Sequence, residues 1–304
     1  MPRYLKYLIL VALMGVLATL ILVDVRALTA KISIVLSNPN ENNFSVLVLG
    51  EAGEGEGGPW EQAPNLTDAI ILLQFIPKNG VVDMVSIPRD LYGTFGSSTF
   101  KVNEALERNE LSGFMDKLPD ITGIGTDKFA VIDLSLVKGI VDDLGGIDVV
   151  LPYTVTDSAS GYSISAGDHH LDGSDADWLI RNRYAAEGDF FREDNQHLVI
   201  EAIFKKFLSL DLIDQTKLIA SIYPEIDKLN TNVNFGEVYP LISEGKNITF
   251  KSAALDFSTG LVESSSTPVG NGSQYILLPT AGMNNYSKIR DYITLQLQSA
   301  QPLQ

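Results

Sequence analysis

Two apolar runs joined by a short turn constrain the fold more than any other feature of this sequence. Residues 69–75 (AIILLQF) and 81–87 (VVDMVSI) have the length and the aliphatic composition of buried strands. The segment PKNG at 77–80 joins them, and it favours a turn because proline fixes φ and glycine permits positive φ. The pattern therefore predicts an antiparallel hairpin inside a β-sheet.

The hairpin register brings charged residues together at its open end. With the turn centred near residue 78 or 79, opposed residue numbers add up to about 157 or 158. Asp68 then faces Arg89 or Asp90, which follow the second strand directly after a proline. An arginine and carboxylates on a stiff strand end suit a site for an anion or a metal-bound phosphate, and they equally suit a structural salt bridge.

The remaining pattern predicts an α/β domain, with a central mixed β-sheet flanked by helices. An apolar strand at 44–49 would place Glu51 on the same rim as Asp68. Strands at 129–132 and 147–151 flank a helix that ends at a pair of glycines. This strand–helix–strand order predicts that the two strands pair in parallel.

The N-terminal region carries the uncharged run YLILVALMGVLATLILV at 7–23, preceded by two basic residues. As a helix it would be about 26 Å long, close to the thickness of a bilayer core. Basic residues before it predict a cytoplasmic N-terminus. A cleavable signal peptide is the alternative, but it would have a shorter apolar core. We expect a single transmembrane helix in residues 1–30, a spacer at 31–42 and an extracellular domain at 43–304 of a cell-membrane protein.

Composition excludes several kinds of site. The chain has no cysteine, which excludes disulfides, thiolate catalysis and cysteine-bound zinc. Its net charge of −16 argues against nucleic-acid binding. The three histidines are too few for a histidine-rich metal centre, and we expect His169 and His170 in a surface turn and His197 on a helix surface.

The few arginines stand out in so acidic a chain. Four of the six after residue 42 lie at a strand end, in an Arg-x-Arg pair and at the start of a long helix predicted from Asp189 to about Leu210, namely Arg89, Arg181, Arg183 and Arg192. On an extended segment the two side chains of an Arg-x-Arg pair point to one face. Guanidinium groups bind phosphate oxygens in pairs, so these four predict a pyrophosphate site.

Two further interpretations accompany that site. Carboxylates at Glu51 and Asp68 would hold a divalent cation that bridges the phosphate oxygens, because Mg²⁺ prefers oxygen ligands. The alternative is that each arginine pairs with a neighbouring acid for stability, Arg89 with Asp90 and Arg192 with Asp189.

Seven segments in order resemble the LytR-CpsA-Psr family of membrane-anchored cell-wall proteins. They span about residues 44–210 and are specific together, not singly. The segments are VLVLGE (46–51), LTDAIILLQFIP (66–77), VSIPRDLYG (85–93), KVNEAL (101–106), DLGGIDVVLP (143–152), LDGSDADWLIRNRY (171–184) and DFFREDNQ (189–196).

The resemblance implies transfer of a glycopolymer from a polyprenyl-pyrophosphate carrier to peptidoglycan, with Mg²⁺ or Mn²⁺ as cofactor. It implies that Arg89, Arg181, Arg183 and Arg192 bind the phosphates, and we assign Arg89, Asp90, Arg181 and Arg183 to catalysis. It further implies head-group contacts from Lys101 and Gln196, and metal binding by Glu51 and Asp68. We also place Asn195 in the phosphate site, at the position of a family arginine. Asp90 would either orient Arg89 or act as the base for the acceptor hydroxyl.

Two residues depart from the family pattern. Glu51 stands where the family usually has aspartate, which keeps the charge and lengthens the reach. Asn195 stands where the family has a second arginine, which removes a cation from the phosphate site. The same site would also serve a pyrophosphatase with water as acceptor. A non-enzymatic lipid- or glycan-binding sensor is the third interpretation.

Overall fold

The computed structural model describes most of the chain after residue 42. The described ranges are 43–51, 66–158, 160–182, 189–226, 228–234, 248–255, 257–270 and 272–299. All of these residues except Asn234 belong to one compact unit. The predicted membrane anchor and spacer lie outside the described residues. Among the described helices, none is both long enough and apolar enough to cross a membrane.

Thirteen strands and seven α-helices are named here in chain order. The strands are β1 Phe44–Glu51, β2 Thr67–Ile76, β3 Val81–Ser86, β4 Tyr92–Phe95, β5 Ser98–Lys101, β6 Phe129–Asp133, β7 Ile147–Leu151, β8 Val155–Thr156, β9 Ser163–Ile164, β10 Gly167–Leu171, β11 Thr249–Ala253, β12 Val262–Val269 and β13 Gly272–Pro279. The helices are α1 Leu111–Met115, α2 Leu118–Thr122, α3 Leu134–Asp143, α4 Gly173–Arg181, α5 Asp189–Ser209, α6 Leu212–Ile226 and α7 Ser287–Ser299.

A five-stranded sheet forms the centre of the unit, in the order β11-β3-β2-β1-β6. Strand β2 is antiparallel to both β1 and β3, whereas β6 and β11 run parallel to the strands that they pair with. The predicted mixed sheet of an α/β fold is therefore confirmed. The other described strands form two-stranded sheets outside this centre.

The predicted hairpin register is confirmed. Strands β2 and β3 pair from Ile71 with Ser86 to Ile76 with Val81. A single turn of 3-10 helix joins them, and Gly80 ends that turn with a φ of 60°, a left-handed conformation that favours glycine. The open end of the hairpin therefore carries the acid and the arginine that the register predicts there.

The prediction that β6 and β7 pair in parallel is wrong. Strand β7 instead pairs antiparallel with β10, outside the central sheet. One edge of β6 is taken by β1, and the other edge bonds the segment around Asn230, whose carbonyl accepts from the Val131 amide. No edge of β6 is left for β7, and Gly145 and Gly146, both at positive φ, redirect the chain after α3.

The two faces of the sheet are covered by different helices. On one face Leu47, Leu72 and Val85 pack into a core with residues of α1, α2 and α7. On the other face the ring of Phe204 in α5 contacts those of Phe75 and Phe250. Helix α5 therefore covers the face opposite α7, and its observed bounds agree with the predicted long helix.

Candidate functional site

The open end of the β2–β3 hairpin carries an ion pair. Arg89 Nη1 donates to Asp68 Oδ1 at 2.6 Å, and the side chains are 22% and 16% exposed. Arg89 Nε lies 3.7 Å from Asp90 Oδ2. The acid across the hairpin is thus closer to Arg89 than its sequence neighbour is, as the register predicts.

Lys101 joins this group through Asp90. The Lys101 Nζ donates to Asp90 Oδ1 at 2.8 Å, and both side chains are largely buried. Lys101 ends strand β5, and the backbone after it bonds back to the Arg89 segment, since the Asn103 amide donates to the Arg89 carbonyl. The Asp90 carboxylate therefore lies between two cations, an arrangement that orients both of them.

Arg192, in helix α5, contacts Asp68, the residue that also pairs with Arg89. Its Nη2 donates to the backbone carbonyl of Asp68 at 2.9 Å, and the residue is 3% exposed. Arg89 and Arg192 come from different elements, yet both contact Asp68. The observed contact of Arg192 is thus made across the fold, with a residue of β2.

The next turn of α5 connects the site to helix α4. Gln196 is buried, and its side-chain amide donates to the Ile180 carbonyl at 3.2 Å. Asn195 is also buried, and among the described residues its Nδ2 meets no acceptor. Gln196 therefore positions the end of α4 beside α5, one residue before Arg181.

Arg181 occupies a helical position, which differs from the prediction of an extended Arg-x-Arg segment. It is the last residue of α4, and its Nε donates to Asp177 Oδ1 at 2.6 Å, one turn earlier. The chain becomes extended only at Asn182. Arg181 thus makes a local ion pair with Asp177, and Arg183 lies outside the described residues.

His197 is buried, so the expectation of a surface histidine is wrong. It is 3% exposed, and its Nε2 lies 2.8 Å from the hydroxyl of Ser86, the last residue of β3. Burial lowers the pKa of His197 to about 4, so the ring is neutral at physiological pH. The missed signal is in α5 itself, where polar and apolar residues are poorly separated, as in a helix covered on several sides.

Glu51 and Asp133 lie side by side at the ends of parallel strands β1 and β6. A bulge follows Gly50, and Glu51 pairs on its other side with Thr67, the residue before Asp68. Burial, and then the Asp133 carboxylate, raise the pKa of Glu51. Asp133 was not predicted at this rim, although a strand-ending acid that caps a helix could have indicated it.

The carboxylates of this rim fit a divalent cation in their donor chemistry. Mg²⁺ typically takes one or two carboxylates and completes its shell with water and substrate phosphate. The raised pKa of Glu51 indicates a carboxylate whose negative charge a cation would stabilise. Within the described residues no group of three or more acids or histidines is arranged to hold a metal alone.

A comparison with known protein families identifies the family of this chain. The model of the LytR_cpsA_psr family matches residues 24–289. The chain belongs to the LytR-CpsA-Psr family.

Named relatives within the LytR-CpsA-Psr family include two transferases of Bacillus subtilis (strain 168). The polyisoprenyl-teichoic acid–peptidoglycan teichoic acid transferase TagV is 27% identical over 260 residues, which cover 81% of this chain and 63% of TagV. The enzyme of the same description named TagU is 30% identical over 207 residues, covering 67% of this chain and 64% of TagU. The chain thus spans less than two thirds of either relative.

The fold of the LytR-CpsA-Psr family is also found by structural comparison. The solved structure of TagT bound to LIIa-WTA superposes with a TM-score of 0.61 at 20% identity. The match covers 86% of this chain and 93% of that structure. At this identity the likeness shows the shared fold.

Proposed function

We propose that this LytR-CpsA-Psr protein is a membrane-anchored phosphotransferase. It moves a glycopolymer from a polyprenyl-pyrophosphate carrier to peptidoglycan with the help of Mg²⁺ or Mn²⁺. The convergence of Arg89 and Arg192 on Asp68 carries this proposal. Two guanidinium groups from a strand end and a helix start are arranged as an anion site requires.

The charges of the site suit a pyrophosphate. Arg89 is partly exposed at the open end of the hairpin, where its planar guanidinium would also bind a phosphate oxygen. Arg192 is buried and contacts backbone, which keeps it in place before substrate arrives. Lys101 adds a third cation, held by Asp90. Arg181, the last residue of α4, and Arg183, which lies outside the described residues, complete the proposed set.

The metal would be held by Glu51 and Asp68, with substrate oxygens completing its shell. When bound, a divalent cation neutralises negative charge on the phosphates and on the leaving oxygen. The glutamate that replaces the usual aspartate keeps this donor chemistry. Asp68 thus has two proposed tasks, since it also holds the Arg89 guanidinium near the phosphates.

The proposed reaction exchanges one bond to phosphorus for another. The acceptor hydroxyl oxygen bonds to the phosphorus that carries the glycopolymer, and the bond from that phosphorus to the bridging oxygen breaks. Polyprenyl phosphate leaves, and the hydroxyl proton is released. Asp90 lies between Lys101 and Arg89, which supports the orienting role for its carboxylate over the role of base.

The proposed location is the cell membrane, with the N-terminus in the cytoplasm and the catalytic domain outside. The uncharged run at 7–23 and the basic residues before it support this topology. Phe44, which begins β1, would then follow the spacer by a few residues. The lipid-linked substrate and the anchor would share one membrane.

A transfer assay with the full-length protein in detergent tests the proposal. The substrates are a fluorescent glycopolymer on a polyprenyl-pyrophosphate carrier and isolated peptidoglycan, with and without Mg²⁺. We expect polymer on the peptidoglycan, lost in the Asp68→Ala variant and kept in Asp168→Ala, a matched control at an exposed acid of β10. Release of polymer phosphate into water would instead identify a pyrophosphatase. Binding without turnover that Asp68→Ala leaves unchanged would identify a sensor.

A further inference from the structure

A cavity lies at the turn end of the β2–β3 hairpin, whereas Asp68 and Arg89 lie at its open end. Its volume is about 490 Å³, within the range of small-molecule sites. The turn contributes Asn79, and helices α2 and α7 contribute the walls that face the sheet. The proposed phosphotransfer uses none of the residues that line it.

The floor of the cavity belongs to a polar row across four strands. Ser45, Gln74, Asp83 and Lys251 are successive partners in the registers of β1, β2, β3 and β11. Cross-strand partners point to the same face of a sheet, here the face that α7 covers. The Gln74 amide donates to the Ser45 hydroxyl at 3.2 Å, and three of the four residues line the cavity.

Asp83 is the unusual member of this row. It is 6% exposed, and among the described residues no donor reaches its Oδ1. Burial raises the pKa of Asp83 to about 6, although the charge of Lys251 acts in the opposite direction. A buried carboxylate without a full set of donors destabilises the fold, and its presence at a cavity wall is typical of a binding site.

Lys251 is held beside the same cavity. Its Nζ donates to the Leu297 carbonyl near the end of α7 at 2.6 Å, which leaves further ammonium protons for other acceptors. The remaining walls mix amide groups with the aliphatic side chains of Ile76, Ile124 and Leu297. The cavity thus presents an acceptor, a donor and an apolar surface together.

We propose that this cavity binds a neutral, hydroxyl-rich ligand, a sugar unit, with Asp83 accepting its hydroxyl protons and Lys251 donating to its oxygens. The Asp83 carboxylate disfavours an anionic ligand, and the Lys251 ammonium disfavours a cationic one. The aliphatic wall fits the C–H face of a sugar ring. The choice of a sugar among neutral polyols rests on the proposed function, because that enzyme handles a glycopolymer and peptidoglycan.

Saturation-transfer NMR on the full-length protein, in a detergent without sugar head groups, tests this site. The probe is the neutral disaccharide N,N′-diacetylchitobiose, compared with cationic glucosamine and anionic glucuronate. We expect the disaccharide to bind in preference to both charged sugars. Asp83→Asn should weaken its binding about tenfold, as expected for loss of a charged hydrogen bond. Lys251→Met should weaken it about fivefold by the same reasoning.

The pH dependence gives a second readout. Among the described residues that line the cavity, Lys251 is the other charged group. Binding should therefore weaken as pH falls below about 6 and Asp83 takes up a proton. In Asp83→Asn that dependence should be absent.

Matched variants separate this site from the pyrophosphate site. Arg89→Ala should weaken binding of inorganic pyrophosphate and leave disaccharide binding unchanged, and Asp83→Asn should do the reverse. Thermal unfolding should show that Asp83→Asn is at least as stable as the parent, because it removes a buried charge. Disaccharide binding that Asp83→Asn leaves intact, or that Arg89→Ala abolishes, overturns the proposal, and so does the absence of saturable binding at millimolar disaccharide. None of these outcomes depends on turnover.

Discussion

The two ends of the β2–β3 hairpin contain the same residue types in opposite states. At the open end Asp68 binds Arg89 at 2.6 Å, and Arg192 contacts the same residue from α5. At the turn end Asp83 is more deeply buried, lacks a donor to Oδ1 among the described residues, and has a raised pKa. One end is balanced by cations of the protein, whereas at the other end a carboxylate oxygen lacks a hydrogen-bond donor among the described residues.

The comparison shows that burial alone does not determine what an acid does. Both carboxylates lie near a cation, but Arg89 is aimed at Asp68 and Lys251 is turned toward the Leu297 carbonyl. A carboxylate with a guanidinium partner can remain charged at low cost, whereas one without a partner raises its pKa instead. Four predictions test this difference.

The largest expected effect comes from removing Asp68 at the open end of the hairpin, where arginines balance its charge. Asp68→Ala removes the Arg89 partner and a proposed metal ligand, so transfer should fall about 100-fold or more. The measurement is the initial rate of polymer transfer to peptidoglycan at saturating Mg²⁺. Asp168→Ala should retain the parent rate, and a rate for Asp68→Ala within threefold of the parent would contradict a role for this acid.

His197, which lies near the open end of the hairpin, should make the free energy of unfolding depend on pH. Its folded-state pKa of about 4 lies below the ordinary value of 6.5, so the unfolded state binds the proton first. The contribution of His197 to the free energy of unfolding is complete above pH 6.5, and it falls by about 3 kcal/mol in total as pH drops toward 4. Denaturant unfolding between pH 4 and 8 measures it.

Asp83 opposes this slope, because its folded state binds the proton first between about pH 6 and 3.8. His197→Gln keeps a hydrogen-bond partner for the Ser86 hydroxyl and removes the titrating ring. The pH dependence of stability that remains should then be that of Asp83. In Asp83→Asn the stability should fall more steeply toward pH 4 than in the parent, because the opposing contribution of Asp83 is gone. A His197→Gln profile that matches the parent profile between pH 8 and pH 4 would refute the assignment.

Arg192→Lys should weaken the anion site by about tenfold. Lysine keeps the charge but loses the planar fork that contacts the Asp68 carbonyl and, in the proposed site, would bind a phosphate at the same time. The dissociation constant of inorganic pyrophosphate, measured by calorimetry, should rise accordingly. Arg108→Lys is the matched control, since that arginine is about half exposed, pairs with Glu104 one turn away and lies over the Phe100 ring, away from Asp68.

The smallest expected effect lies at the unbalanced end. At pH 8 Asp83→Asn should stabilise the protein by about 1 kcal/mol, because it removes a buried charge without a full set of donors. The gain should vanish near pH 4, where aspartate is neutral in the folded state. A loss of stability at pH 8 would mean that Asp83 is well satisfied in solution.

Much of the frame and part of the site could be predicted from the sequence. The hairpin register, the bounds of α5 and the meeting of Asp68 with Arg89 follow from local rules. A proline–glycine turn sets the pairing, and helical periodicity persists over many residues. These features depend on neighbours along the chain, and so they could be predicted before any tertiary contact was known.

Tertiary structure decided the features that depend on distant segments. Strand β7 left the central sheet because the segment around Asn230 occupies the edge of β6. His197 became buried because β3 ends beneath it, and Asp133 reached Glu51 only through the parallel pairing of β6 with β1. The cavity at Asp83 likewise needs α2 and α7 over one face of the sheet. Burial and edge occupancy are properties of the assembled fold, whereas turn chemistry and periodicity are properties of the chain.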